Sequence, residues 1–60
     1  METSARVKFE NDQDFIDGTI NMGEMLETWQ KTADDGTIRT FELKPKSEDR
    51  TLEVFLKVTK

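Results

Sequence analysis

The chain has no cysteine and no histidine. The first absence excludes disulfide staples, thiolate nucleophiles and cysteine-ligated zinc. The second removes the side chain whose ordinary pKa lies nearest neutrality, and with it the usual general base. No apolar run approaches the roughly 20 residues that cross a bilayer. The opening Met1-Glu2-Thr3-Ser4-Ala5-Arg6 lacks the apolar stretch of a secretory signal, so a cytoplasmic address is expected. Glycine is scarce and scattered, at Gly18, Gly23 and Gly36, and builds no phosphate-cradling loop. The two serines, Ser4 and Ser47, have no imidazole to activate them. A carboxylate pair does acid–base work only where burial raises one pKa, and 60 residues leave little interior for such a pocket. Neither an enzyme nor a cofactor is expected.

What is present is short, acidic and sparingly apolar. Apolar residues make up 33% of the chain; with the glycines added the fraction still falls below the roughly 45–50% usual for soluble domains. A domain of this size buries only about 60% of the surface its unfolded chain exposes. Without disulfides or a metal, association is the remaining way to add buried surface, so a homodimer or a partner-bound subunit is expected.

Residues 5–10 alternate Ala5, Val7 and Phe9 with Arg6, Lys8 and Glu10, the period-2 pattern of a strand with one dry face. Asn11 then offers a helix cap, with acids following in the first turn. Phe15, Thr19, Met22, Leu26, Trp29 and Ala33 recur at helical spacing, which places Trp29 in the core. Gly18 and Gly23 weaken that helix by roughly 0.8–1 kcal/mol each, and Asp17-Gly18 also reads as a tight turn. The pattern therefore predicts a helix over 22–34 and leaves 12–21 as helix or turn. Gly36 is placed just past the helix end, in the left-handed conformation.

Residues 37–44 and 50–59 read as two strands, with the turn expected at Pro45-Lys46-Ser47-Glu48. Pairing Lys44 with Asp49 sets Phe41 opposite Leu52, Thr40 opposite Glu53, and Ile38 opposite Phe55. Pairing two residues away brings Glu42 against Glu53, a like-charge clash. The fold class expected is α+β, with β-α-β-β order and a three-stranded mixed sheet in strand order 1-3-2. One helix packs on one face, the third strand lying between the first two and antiparallel to both. Residues 1–4 are expected to form a flexible N-terminal tail, and 5–60 one small domain.

Three surfaces are candidates for function. Glu10, Asp12, Asp14, Asp17, Glu24 and Glu27 form an acidic surface in a stretch without lysine or arginine. Such a field steers a basic partner or imitates the charge of a nucleic acid; it also keeps a small protein soluble. A calcium loop does not fit there: with Gly18 at the sixth position, Phe15 falls on the third. No metal site is expected. The second surface is the sheet face away from the helix, where Ile38 and Phe55, rimmed by Thr40, Glu53 and Lys57, resemble the centre of a protein interface. The third comprises Arg39, Lys44, Lys46 and Arg50 on the hairpin, through which a dimer could bind nucleic acid, although Glu42, Glu48, Asp49 and Glu53 interleave with them. The leading expectation is a non-catalytic protein–protein interaction module: a regulator, inhibitor or accessory subunit. The competing one is a dimeric nucleic-acid binder.

Overall fold

Asn11 opens the helix. Its side-chain oxygen accepts the Asp14 backbone N–H at 2.8 Å, satisfying one of the donors a helix start leaves free. In the computed structural model, which describes residues 1–60, α1 runs without a break over Asp12–Lys31. The turn at Asp17-Gly18 does not form. Gly18 is instead where Phe9 presses on the helix: a Cβ at this position would lie 2.5 Å from the Phe9 ring. The helix also stops earlier than its apolar spacing predicts, at Thr32, whose N–H reaches the Thr28 carbonyl. Gly36 does take a positive φ of 83°, but in the loop leading to the next strand and not at the helix end.

Strands β1 (Glu2–Lys8), β2 (Ile38–Lys46) and β3 (Thr51–Thr59) form one sheet in the order β1-β3-β2. Both pairings are antiparallel. The expected strand order therefore holds, while the mixed sheet does not: β1 and β2 run parallel to each other but never touch, because β3 separates them. Residues 2–4, expected in a tail, continue β1 and pair with residues 57–55, Glu2 opposite Lys57. Just before them, the Met1 carbonyl accepts the Val58 N–H at 2.8 Å.

The β2–β3 register also departs from expectation. Ile38 faces Thr59, Thr40 faces Lys57, Glu42 faces Phe55 and Lys44 faces Glu53. The strand continues through Pro45 and Lys46, and the turn is formed by residues 47–50. Proline is tolerated because β2 is an edge and the position of Pro45 in the ladder directs its nitrogen outward, so no sheet hydrogen bond is lost. The register gains Phe41 against Leu56 and Leu43 against Val54 on the helix side, and an opposite-charge pair, Lys44 with Glu53, on the other. The offset from the expected pairing is an even number of residues, so each side chain keeps its face.

The core lies between α1 and the sheet. Leu26, Leu52 and Val54 form its buried centre, with Phe9, Met22, Trp29, Phe41, Leu43 and Leu56 packed around it. The Phe9 and Phe15 rings meet edge to face at 6.2 Å. The helix lies over β2 and β3 and leaves β1 uncovered, so that all seven residues of β1 are exposed. Four apolar side chains are buried, and of these only Leu52 is fully enclosed. The radius of gyration, 12.7 Å, exceeds the roughly 10 Å of a compact chain of this length. No helix is long and apolar enough to cross a membrane.

Candidate functional site

The sheet face opposite α1 carries the even-numbered residues of β1 and β2 and the odd-numbered residues of β3, because side chains alternate along a strand. The ladders assemble them in rows across the sheet: Glu2, Lys57, Thr40; then Ser4, Phe55, Glu42; then Arg6, Glu53, Lys44. Over these rows lies an open concavity of about 480 Å³. Phe55 is its half-buried floor, with Lys44 and Lys57 among its walls. The Lys44 Nζ stands 5.1 Å from the centre of the Phe55 ring, within cation–π range. Arg6 and Glu53 approach to 3.9 Å in the next row.

Of the interface residues read from the sequence, Phe55, Thr40 and Lys57 come together at the concavity. Glu53 shares the face one row away, between Arg6 and Lys44. Ile38 also shares the face and is 62% exposed. It is not a neighbour of Phe55: the register sets it opposite Thr59, four positions along the strand, or about 13 Å. The expected pair of greasy side chains is therefore two separate features. Glu2, Ser4, Glu42 and Lys44 were missed as lining residues. Glu42 and Lys44 were legible from strand alternation; Glu2 and Ser4 were hidden by reading the first residues as a tail.

The hairpin bases do not form one set. Arg39 lies on the helix side, where its Nη1 donates to the Trp29 carbonyl at 2.9 Å and its guanidinium stands 5.4 Å from the Trp29 ring centre. Asp35 is 3.9 Å from the same group. Arg50 donates from Nε to the Phe9 carbonyl at 3.2 Å and reaches Asp12 at 4.0 Å. Both arginines thus tie elements of the fold together, leaving Lys44 and Lys46 on the open face.

Glu10, Asp12, Asp14, Asp17, Glu24 and Glu27 are all exposed. Asp17, Glu24 and Glu27 lie on the outer surface of α1, away from the Phe15–Leu26 stripe. No three acidic side chains cluster so as to hold a metal ion. The open sheet face, by contrast, carries Arg6, Lys8, Lys44, Lys46 and Lys57 against Glu2, Glu42 and Glu53, five bases to three acids. The two sides of the molecule differ in sign. The resolved carboxyl shifts lie in loops. Asp35 is held below the usual carboxylate range by hydrogen bonds from the Thr37 hydroxyl and N–H, and Asp49 in the same way by those of Thr51.

No family model, curated protein or solved structure matches the chain.

Proposed function

We propose that the chain is a small non-catalytic protein-binding module, a regulator, inhibitor or accessory subunit, that docks its partner on the open sheet face. The observation that carries this reading is the Phe55 concavity. An aromatic floor rimmed by Lys44 and Lys57 and by Glu2 and Glu42 suits an apolar side chain flanked by groups of both charges on the partner. Burying such an anchor within a charged rim is how interfaces concentrate their affinity. The acidic outer surface of α1 would set the orientation of approach and repel acidic competitors.

The test replaces Phe55 by glutamate and, separately, halves the net charge of the helix with Asp17→Asn and Glu24→Gln. Partners captured by the wild-type chain and confirmed with purified components should be lost with Phe55→Glu at unchanged circular dichroism, and retained by the helix variant. Loss with the helix variant alone would move the site to the acidic surface. Salt-titrated binding to duplex and single-stranded DNA addresses the nucleic-acid reading, for which a steep slope is the signature. Arg39 and Arg50, half of the hairpin set, are already engaged within the fold, so weak binding with a shallow slope is expected.

A further inference from the structure

The outer edge of β1 is complementary to itself. Met1 pairs with Val58 through the Val58 N–H, and Phe9 donates to the Arg50 carbonyl at 2.9 Å. In an antiparallel ladder the bonded residues alternate. Thus the odd residues of β1 spend their backbone groups on β3, and the N–H and C=O of Glu2, Ser4, Arg6 and Lys8 point out of the sheet. Of the usual protections this edge has only its charged side chains, Glu2, Arg6 and Lys8: its pairing with β3 contains no bulge, it holds no proline, and no helix covers it. The β2 edge differs, since Pro45 interrupts its outward donors.

We infer that a second copy of this chain adds to β1 in antiparallel fashion, giving a continuous six-stranded sheet with its dyad at Ala5. In this register Glu2 faces Lys8 of the second copy and Ser4 faces its Arg6. Each outward residue then meets another outward residue, and four bonded pairs form. Moving the dyad to Arg6 sets arginine against arginine and leaves Glu2 unpaired. Moving it to Ser4 leaves Lys8 unpaired and one bonded pair fewer. The Ala5 dyad alone satisfies every outward backbone group and places an opposite-charge pair at both ends. On the helix side, the close pairs across the new seam are Ala5 with Ala5 and Thr3 with Val7, small enough to meet without a clash. The thin core of one copy fits the same picture: 4560 Å² of accessible surface exceeds the roughly 4000 Å² expected of a folded monomer of this mass. Dimerisation leaves the Phe55 concavity open on each half, with the two β3 strands about 14–15 Å apart across the joined face.

The experiment is equilibrium sedimentation of the full chain from about 5 to 500 µM, a range covering micromolar affinities. The wild-type chain should show a monomer–dimer equilibrium. Ser4→Pro removes one outward N–H while sparing the β3 ladder; it should abolish the dimer and leave the circular dichroism unchanged. Lys8→Glu, whose neighbour within the chain is Thr51, should raise the dimer Kd about tenfold, since each dimer contains the pair twice. Adding Glu2→Lys, with Lys57→Glu to keep the opposite-charge pair inside the chain, should return Kd to within about threefold of wild type, a rescue only this register gives. Phe55→Glu should dimerise normally, so failure of the docking proposal would not touch this one. A chain that stays monomeric to the highest concentration overturns the inference, including the case where the edge captures a strand of another protein. So does a dimer indifferent to Ser4→Pro and to the charge swap.

Discussion

Two helical glycines look alike in sequence and should behave oppositely when replaced by alanine. In a helix interior the substitution ordinarily stabilises by about 0.8–1 kcal/mol. At Gly23 the added methyl would sit 3.7 Å from the Leu43 Cδ1, an ordinary contact, so the full gain is expected. For a domain of 60–100 residues each kcal/mol moves Tm by about 4–8 °C. At Gly18 the methyl would lie 2.5 Å from the Phe9 Cζ and 2.6 Å from its Cε1, roughly 1 Å inside van der Waals separation. The ring cannot yield freely. Its backbone is bound on both sides by Arg50, and its edge packs on Phe15. Forcing extra volume into a packed site costs about 1–3 kcal/mol, and swinging the ring away forfeits an aromatic pair worth about 0.5–1.5 kcal/mol. Set against the helical gain, Gly18→Ala should destabilise by about 0.5–2 kcal/mol. Urea unfolding at one fixed protein concentration, followed by the helical dichroism band and Trp29 fluorescence, measures both variants. Finding Gly18→Ala as stable as Gly23→Ala would refute the Phe9–Gly18 contact and the packing argument built on it.

Arg50 occupies the left-handed region at φ 55° while its side chain holds the Phe9 carbonyl. Arg50→Ala loses the bond and keeps the strain, whereas Arg50→Gly sheds both, so the glycine variant should be the more stable by about 1–2 kcal/mol in urea titration. Arg39→Ala should cost about 1–2 kcal/mol and shift Trp29 emission, because the guanidinium both stacks on the indole and binds its carbonyl; Arg39→Lys, without the planar fork, should not restore it. In acid, Asp35 and Asp49 are held below their ordinary value of 3.8 in the folded chain. Their stabilising effect is therefore complete above the unfolded value and lost as pH falls through the lower folded values. Unfolding midpoints of Asp35→Asn and Asp49→Asn, measured from pH 6 downward, should each show a weaker acid dependence than wild type.

Alternation and helical spacing made much of the fold legible. The Asn11 cap, the Phe15 to Trp29 face and the four aliphatics of β3 appear as read, and those aliphatics put β3 at the centre of the sheet. The Ala5 and Val7 stripe does not form a dry face, because the helix leaves β1 uncovered, and Phe9 lies past the end of the strand. The candidate site was half legible. Strand parity put Phe55, Thr40, Glu53 and Lys57 on the open face, but the assumed turn at Pro45 drew Ile38 beside Phe55. Proline marks a turn only when its missing N–H would otherwise break a ladder. On an outward-facing edge position it breaks nothing, and β2 runs on through it.

Periodicity alone determined which side chains face the helix and which face away, since a strand repeats every two residues and an even slip cannot exchange its faces. Whether Gly18 is a turn or a notch for Phe9, whether Arg39 and Arg50 are free or tied to carbonyls, and which edge of the sheet is left uncovered were decided by tertiary structure. Each depends on contacts made between separate elements of the fold, and the free energy of such contacts is absent from any local window of sequence.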